Sequence, residues 1–436
     1  MQLSNLVGKH HKSRYAAVMA EFRRAQVDTL IQRLSEPPER LIAVFGPRQS
    51  GKTRAVLQAI SSVQREHRYE TSDSSEFQGD PRGATSDMYY ESALPNQANT
   101  HWLEMVWRQS RHRAWNSPRG FVLVLDEIQK IDRWSEVVKG LWDADRMNGC
   151  PMHVVILGSA PLLMQDGLTE SLAGRFELVH FKHWSYREMS QAFGLSLDEY
   201  IYFGGYPGAA AMIADSDRWM DYMRGGMISP NIERDVFSMV RVDKPELFKR
   251  LFDLGARLSG QVVSYTKLVG YLQDVGNTTT LTRYLGLLAQ VGLLAGLPKH
   301  SNRLTSAKVP TPKLNVLNTA LMSAVCGLSF DEARGDRTHW GRLVESSVGA
   351  HLFNASSSRT EVKYWRDRNF EVDFVLERGS NLVGIEVKSG QAPAATRGLS
   401  EFQRRFQPKN TIVVGDAGVP LHEFLSVSPD YWFDET

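Results

Sequence analysis

The hydrophobic residues of this chain follow two kinds of pattern. Short continuous apolar runs occur at LIAVF (41–45), FVLVL (121–125) and HVVIL (153–157), and turn or helix residues follow each one. Runs of this kind predict parallel strands that are buried on both faces of a sheet. From about residue 186 the apolar residues recur at helical spacing, and TIVVG (411–415) predicts a last strand near the end. The polar, turn-rich stretch 70–100 predicts a surface excursion.

The first apolar run leads into a glycine-rich motif. LIAVF is followed by GPRQSGKT, which matches GxxxxGK[ST], and then by RAVLQAI, which is compatible with a helix. In such a loop the backbone N–H groups and the helix N-terminus bind phosphates, the lysine reaches the β- and γ-phosphates, and the Thr hydroxyl ligates Mg²⁺. The sequence therefore predicts an ATP site built from Gly46, Pro47, Arg48, Gln49, Ser50, Gly51, Lys52 and Thr53.

The next two apolar runs supply candidates for the chemistry of hydrolysis. FVLVLDEIQK ends its strand in Asp126, expected to hold Mg²⁺, and Glu127, expected to polarise the attacking water as a general base. Ser159 follows the third run and is expected to orient the γ-phosphate or the water, although an ordinary turn serine fits the same position. Arg175 is expected to stabilise charge in cis or from a neighbouring subunit, and a structural salt bridge fits it as well.

A second candidate site lies in EVDFVLERGSNLVGIEVKSG, residues 371–390, which predicts a β-hairpin. Because alternate residues of a strand share a face, Glu386 and Lys388 point the same way, and Asp373 joins them if the two strands pair. Two carboxylates suit Mg²⁺, and a lysine there positions a nucleophile or stabilises the developing charge. The spacing alone arises easily by chance.

These motifs resemble those of a known family. GPRQSGKT, LVLDEIQK, GSA, ESLAGRFE and FGGYPGA, with WGRLVESSVGAHL and IEVKSG further on, look like prokaryotic AAA-type ATPases that carry a C-terminal domain related to PD-(D/E)XK nucleases. The resemblance implies an α/β chain with a P-loop ATPase core, a helical lid, a winged helix and a nuclease-like α/β domain. It also implies the catalytic set Glu345, Asp373, Glu386 and Lys388, with Asp373 and Glu386 as metal ligands. Glu345 lies beside an apolar helical stripe, and an exposed helical glutamate fits it equally.

The expected domains are 1–185 for the ATPase core, 186–235 for the lid, 236–312 for the winged helix and 313–436 for the nuclease-like domain. SYTKLVGYLQDV and NTTTLTRYLGLLAQVG predict the helix-turn-helix of the winged helix, followed by a strand and a basic loop over 299–313. A domain that only packs between its neighbours fits the pattern as well. The residues expected to face DNA are Thr278, Thr279 and Arg283, with Lys299, Arg303 and Lys308 at phosphates, and the loop also contains Lys313.

The composition of the chain limits its possible partners and its cellular compartment. The net charge of +2 is small, so contacts with nucleic acid must come from local patches. The two cysteines, Cys150 and Cys326, exclude a disulfide framework and a cysteine-based zinc site, and they suit a reducing cytoplasm. The apolar runs are far shorter than the ~18 residues of a membrane span, so we expect no membrane partner. The resemblance to AAA-type ATPases implies a homo-oligomer.

Two functions follow from these motifs. The first is an ATP-hydrolysing protein that binds and remodels or processes DNA, branched or single-stranded, with a Mg²⁺-dependent nuclease site in its C-terminal domain. The alternative is a nucleotide-gated protein-interaction switch or scaffold whose nuclease-like domain does not cut.

Overall fold

The structure is a computed structural model that describes residues 22–72, 89–92, 99–158, 171–237, 242–272, 277–301, 311–390 and 397–434. The chain divides into two compact units, one ending at Phe181 and the other beginning at Lys182. This division lies close to the expected end of the ATPase core at residue 185, whereas the expected boundaries at 235 and 312 stay predictions. In the described ranges, no helix is long and apolar enough to cross a membrane.

The first unit is built on a six-stranded sheet with the strand order β3-β2-β4-β5-β1-β6, in which every pair is parallel. Its elements are α1 (Ala25–Ser35), β1 (Leu41–Phe45), α2 (Lys52–Val63), β2 (Glu66–Thr71), β3 (Tyr89–Ser92), α3 (Thr100–Asn116), β4 (Phe121–Asp126), a 3-10 turn (Ile128–Lys130), α4 (Trp134–Asn148), β5 (Met152–Gly158) and β6 (Phe176–His180). The three apolar runs are confirmed as strands β1, β4 and β5. Most of the stretch 70–100, predicted to be a surface excursion, lies outside the described residues, and its described parts include the end of β2 and all of β3.

Helices cover both faces of this sheet, which explains the continuous apolar runs. On one face, Ile42 and Val44 of β1 pack with residues of α1 and α2, and on the other Leu41 and Ala43 pack with residues of α3 and α4. Since all the strands run in the same direction, the loops after β1 and β4 leave the sheet at the same edge. That edge is where ligands bind in open α/β sheets.

The second unit begins with a helical region. Its elements are α5 (Tyr186–Phe193), α6 (Leu197–Phe203), α7 (Pro207–Ala210), α8 (Ser216–Asp221), α9 (Ser229–Ile232), two π-helical segments (Tyr222–Ile228 and Glu233–Phe237), α10 (Pro245–Arg257), α11 (Tyr265–Leu272), α12 (Thr278–Gln290), β7 (Leu294–Leu297) and β8 (Lys313–Val316). The two predicted helices and the strand appear as α11, α12 and β7, whereas the turn at 273–276 lies outside the described residues. Lys313 was expected in the basic loop, but it is the first residue of β8, paired with Leu297 of β7. The expected boundary at 312 therefore falls between two paired strands.

The rest of the second unit surrounds a four-stranded sheet with the order β12-β11-β10-β9. Its elements are α13 (Thr319–Cys326), α14 (Phe330–Gly335), α15 (Arg337–Ala355), β9 (Glu361–Asp367), β10 (Phe370–Arg378), β11 (Asn381–Val387), α16 (Arg397–Phe406), β12 (Asn410–Val414), α17 (Leu421–Phe424) and a 3-10 turn (Pro429–Phe433). Strands β9, β10 and β11 are antiparallel neighbours, and β12 runs parallel to β11. The predicted hairpin is confirmed as β10 and β11, and the predicted last strand is β12.

Candidate functional site

The loop between β1 and α2 has the backbone that a phosphate cradle needs. Gly51 lies just before α2 with a φ of 87°, in the left-handed region that glycine adopts without strain. A Cβ on Gly46 would lie 1.9 Å from the carbonyl oxygen of Phe181, so only glycine fits there. The Lys52 side chain is buried, and its Nζ donates to the carbonyls of Gly46 (2.9 Å) and Pro47 (3.0 Å). The ammonium is therefore held inside the curve of the loop.

A residue outside the motif supports the same loop. Arg24, just before α1, is 5% exposed, and its Nη1 donates to the carbonyl of Ser50 at 2.7 Å. Its guanidinium also lies 5.6 Å from the ring centroid of Phe181. Arg24 thus fixes the backbone of the loop from a segment that precedes the first strand.

Asp126 lies at the end of β4, on the edge of the sheet that carries this loop. The hydroxyl of Tyr69 on β2 donates to its carboxylate and also hydrogen-bonds Thr53. Burial raises the pKa of Asp126, and the Tyr69 hydrogen bond and the Lys52 charge oppose that rise. Tyr69 therefore connects the two residues that the motifs assign to Mg²⁺.

Glu127 follows Asp126 in a left-handed backbone conformation with a φ of 55°. Its backbone N–H donates to Leu157 of β5 at 3.0 Å, and its Oε2 accepts from Gln129 Nε2 at 2.8 Å. A non-glycine residue in this region is uncommon and is held there by its surroundings. The neighbouring strand and Gln129 thus fix the direction of the carboxylate. Ser159 lies outside the described residues.

Arg175 does not reach the phosphate loop within its own unit. It precedes β6, whose first residue pairs with Leu41, the first residue of β1. The phosphate loop leaves the other end of β1, about 15 Å away at the usual rise of a strand. Arg175 instead holds Asp143 through two hydrogen bonds of 2.7 and 3.0 Å. The expected action in cis therefore does not fit this geometry, because the strand separates the two groups. Action on a neighbouring subunit stays a prediction.

The residues at this edge fit a nucleotide with Mg²⁺. The Lys52 ammonium lies inside the curve of the loop, and Thr53 and Asp126, which Tyr69 connects, supply two oxygen ligands near it. Oxygen donors are the ligands that Mg²⁺ prefers. The residues that would hold the metal are Thr53 and Asp126, with Lys52 at the phosphates.

The second site lies on the four-stranded sheet. Phe374 of β10 pairs with Ile385 of β11, so Asp373 and Glu386 come next in the same register. The pairing of β10 with β9 shifts between Val372 and Val375, which places a bulge at Asp373. The Asp373 Oδ2 accepts from the backbone N–H of Val387 at 2.8 Å. The strand alternation predicted from the sequence therefore brings Asp373 to the strand that carries Glu386 and Lys388.

Glu345 joins this cluster from α15, where the predicted stripe of Val344, Val348 and Leu352 is buried. Lys313 links Glu345 to the hairpin. Its Nζ lies 2.6 Å from Glu345 Oε1 and 3.6 Å from Asp373 Oδ1, and it donates to the Asp373 carbonyl at 3.0 Å. The Lys313 side chain has no exposed surface, and its Nζ lies 4.5 Å from the Phe374 ring centroid. The cluster thus contains Glu345, Asp373, Glu386, Lys388 and Lys313, and we call it the acid–lysine cluster.

Within the described part of the chain, Glu386 is the member of the acid–lysine cluster that has a buried oxygen without a hydrogen bond. Its Oε1 accepts from Lys388 Nζ at 2.6 Å, but its Oε2 is buried and has no hydrogen-bond partner among the described residues. Burial, followed by the negative charge of Asp373, raises the pKa of Glu386 to about 7. Burial also raises the pKa of Glu345 to about 7, against the opposing charge of Lys313. Burial lowers the pKa of Lys313, but Asp373 and Glu345 outweigh it, so the net shift is upward.

The carboxylates of the acid–lysine cluster are not arranged as a ready metal cage. In the ranges that the structure describes, no group of three or more His, Cys, Asp or Glu side chains is placed to hold a metal ion. Glu345 and Asp373 face the Lys313 ammonium instead. Asp373 has both oxygens engaged, by Lys313 and by the Val387 N–H, whereas the Oε2 of Glu386 lacks a partner among the described residues. Asp373 and Glu386 would therefore hold Mg²⁺ here only in competition with these groups.

The residues expected to meet DNA are only partly described. Thr278, Thr279 and Arg283 are exposed on α12, and Asn277 caps that helix by accepting from Thr280 N at 2.8 Å. Lys299 is half-buried, whereas Arg303 and Lys308 lie outside the described residues. Thr278, Thr279 and Arg283 therefore lie outside the core of their own unit.

Sequence patterns did not reveal three site residues, namely Arg24, Tyr69 and Lys313. Each reaches its site through tertiary structure, and none belongs to a local motif. A buried lysine within the apolar stretch KLNV is the one signal that was available, because a charge placed there needs a partner.

Comparison with known proteins identifies the first unit. Residues 38–190 match the model of a family described as AAA domain. The chain therefore contains an AAA-type P-loop ATPase domain, as the motifs predicted, and such a domain supports ATPase activity. Residues 194–332 and 340–429 match two domains of unknown function, DUF8612 and DUF4143. No curated protein matches the chain.

Three solved structures show a similarity to this chain at low identity. The Walker-type ATPase PABY2304 of Pyrococcus abyssi is 15% identical over 70% of this chain and 95% of that chain, with a TM-score of 0.40. The RuvB Holliday junction branch migration motor of Thermotoga maritima is 16% identical over 62% and 89%, with a TM-score of 0.28. The replication initiator DnaA, bound to AMPPCP and single-stranded DNA, is 14% identical over 60% and 86%, with a TM-score of 0.30. These values are too low to decide function.

Proposed function

We propose that this chain is an ATP-driven enzyme that binds and remodels or processes DNA, with a Mg²⁺-dependent phosphodiester site in its C-terminal part. The observation that carries the proposal is the hairpin register, which sets Asp373 beside Glu386 in a chain that also contains an AAA-type ATPase domain.

In the ATPase domain, the phosphate loop binds the nucleotide and Glu127 activates the water. Lys52 exchanges the carbonyls of Gly46 and Pro47 for phosphate oxygens when the nucleotide enters. Bound Mg²⁺ supplies charge neutralisation for the phosphates. Glu127 accepts a proton from the water that attacks the γ-phosphorus, and its fixed backbone holds the carboxylate for that transfer.

In the acid–lysine cluster, the proposed reaction is hydrolysis of a phosphodiester bond. A bound metal supplies an activated water and neutralises the charge of the phosphate. Water oxygen bonds to phosphorus, the bond to one ester oxygen breaks, and that oxygen leaves with a proton. Lys388 would stabilise the added negative charge, and Asp373 and Glu386 are the residues that would hold the metal. The order α15, β9, β10, β11, α16 and β12 supports a PD-(D/E)XK-like fold.

The helices α11 and α12 with β7 and β8 support a winged helix that contacts DNA through the exposed residues of α12. We include a homo-oligomer in the proposal, because Arg175 lies outside the nucleotide site of its own unit. The proposed setting is the cytoplasm.

The second candidate, a nucleotide-gated switch or scaffold that does not cut, is favoured by one observation. Lys313 engages Glu345 and Asp373 directly, which leaves fewer carboxylate oxygens for a metal. Under this alternative, nucleotide binding controls a protein partner. A Glu127→Gln variant that retains ATP should then recover more of that partner than Lys52→Ala does.

The deciding experiment measures ATP turnover and DNA cleavage with the full chain on single-stranded, duplex and branched DNA. Lys52→Ala should lose ATP turnover, and Asp373→Asn should lose cleavage while keeping ATP turnover. Glu361→Gln is the matched control, because Glu361 is an exposed acid on the neighbouring strand β9. Absence of DNA binding in every nucleotide state would contradict the proposal. DNA-stimulated ATP turnover without cleavage would favour remodelling.

A further inference from the structure

Lys313 is a fully buried cation that no motif assigns to the acid–lysine cluster. Its backbone belongs to β8, where it pairs with Leu297 and also forms a bridge with Val262. Two backbone partners fix where the side chain starts, and the contacts with Glu345 and Asp373 hold its buried end. Its position is built into the fold.

The charges of the acid–lysine cluster nearly balance without any metal. Three carboxylates, from Glu345, Asp373 and Glu386, face two ammonium groups, from Lys313 and Lys388. The nearby Glu371 has its own partner, since its Oε2 lies 3.6 Å from Arg366 Nε. When all three carboxylates are ionised, one negative charge is left over, and the Oε2 of Glu386 is the atom that lacks a donor among the described residues.

We propose that Lys313 is a built-in cation that takes the place of a divalent ion between Glu345 and Asp373 and competes with metal for these carboxylates. The inference rests on the proposed function, because it treats Asp373 and Glu386 as metal ligands. It adds that Lys313 controls how tightly that site binds metal. While Lys313 is engaged, the cluster offers a divalent ion a single uncompensated charge. When the ammonium is removed or drawn away, two uncompensated charges remain, which match one divalent ion.

While Lys313 is engaged with Glu345 and Asp373, the acid–lysine cluster should bind a divalent ion only weakly. An ammonium and a divalent ion that share the same carboxylates repel each other, and this repulsion is stronger inside a protein than in water because the effective dielectric constant is lower. Repulsion of about 1.4 kcal/mol is enough to change metal affinity about tenfold. Loss of the Lys313 charge should therefore convert the cluster from a lysine-neutralised site to one that accepts a divalent ion.

The test measures Mn²⁺ binding to the full chain in the absence of nucleotide and DNA. The amount of free Mn²⁺ is read from its electron paramagnetic resonance signal. Lys313→Met, which keeps an unbranched apolar chain, should bind Mn²⁺ at least about tenfold more tightly than the wild type. Lys313→Arg should keep the weak binding, because it keeps the charge. Lys313→Met/Asp373→Asn should lose the gain, which separates this cluster from the nucleotide site.

Each outcome decides the proposal. Equal Mn²⁺ affinity in folded Lys313→Met and in the wild type would overturn it. If Lys313→Met does not fold without metal, refolding is repeated in 1 mM Mn²⁺: recovery of near-ultraviolet circular dichroism supports the proposal, and failure to recover contradicts it. Neither DNA nor ATP is present, so a failure of the proposed DNA activity leaves this measurement unaffected.

Discussion

The hydroxyl of Tyr69 donates a hydrogen bond to the carboxylate of Asp126 and also hydrogen-bonds Thr53. A side chain on β2 therefore connects the end of β4 to the start of α2, across the space where the phosphate loop opens. The contact is made by a residue that the nucleotide motif does not include.

The first prediction concerns Tyr69→Phe. This variant removes the donor that opposes the burial-induced rise in the pKa of Asp126, so the carboxylate becomes harder to ionise and holds Mg²⁺ less well. The Mg²⁺ concentration for half-maximal ATP turnover at pH 7 should rise several-fold, and the difference should shrink as the pH is raised. Tyr271→Phe is the control, because Tyr271 is exposed. An unchanged Mg²⁺ requirement would show that Tyr69 only fills space.

The second prediction concerns Lys52→Ala. Loss of an ammonium that makes charge-assisted contacts with two phosphates should weaken ATP binding at least about 100-fold, at about 1.5 kcal/mol or more for each contact. Isothermal titration calorimetry measures the effect. Lys139→Ala on the exposed face of α4 is the matched control and should bind ATP normally. Unchanged affinity in Lys52→Ala would mean that the phosphate loop is wrongly assigned.

The third prediction compares two glycines of the same unit. Gly46→Ala places a Cβ 1.9 Å from the Phe181 carbonyl oxygen and should lower the free energy of unfolding by about 2 kcal/mol or more. Gly140→Ala, inside α4 with no atom within 4 Å of the added Cβ, should instead stabilise the chain by about 0.5–1 kcal/mol. Denaturant titration measures both changes. Equal effects of the two substitutions would contradict the close approach of Gly46 to Phe181.

The fourth prediction concerns pH and His351. Burial lowers the pKa of His351 to about 4, although the hydrogen bond with the Val427 carbonyl at 3.0 Å opposes this shift. Because its pKa is lower in the folded state than in the unfolded state, the unfolded chain takes up the proton first. The stability that the neutral imidazole contributes is complete above pH 6.5 and is lost as the pH falls towards 4.

Between pH 7 and pH 5 this group should therefore cost about 2 kcal/mol of stability, at about 1.4 kcal/mol for each unit of pH below the unfolded pKa. In His351→Gln that part of the loss should disappear. The measurement is denaturant unfolding of the second unit at both pH values. His153→Gln in the first unit is the comparison, since burial lowers the pKa of His153 to about 4 as well. A pH slope in His351→Gln equal to that of the wild type would contradict the assignment.

The sequence predicted the parts of the fold whose signals are local. The strands β1, β4 and β5 are continuous apolar runs, and the phosphate loop is one contiguous motif. The hairpin alternation correctly placed Asp373 near Glu386, since a two-residue turn at Gly379 and Ser380 fixes the register. In each case the residues that determine the structure are neighbours in the chain.

The parts that the sequence did not predict depend on distant residues. Strand β2 reads EHRYET, a polar stretch whose inward side chain Tyr69 is buried only because β4 pairs with it. Lys313 looked like part of a basic loop, but 60 residues separate it from Asp373, the partner whose carbonyl accepts its hydrogen bond. Arg175 looked like a catalytic arginine, yet its place at the start of β6 follows from the strand order.

The hydrogen bond from Lys313 to the Asp373 carbonyl joins two regions of the chain that matched separate domain models. A fragment that began at residue 313 would keep this lysine but lose the strand that holds it, and a fragment that ended at 312 would keep the strand without its partner. His300 adds a second tie, since its Nδ1 lies 2.9 Å from Glu377 Oε2 on β10. A fragment that is meant to fold should therefore contain both the helices α11 and α12 and the four-stranded sheet.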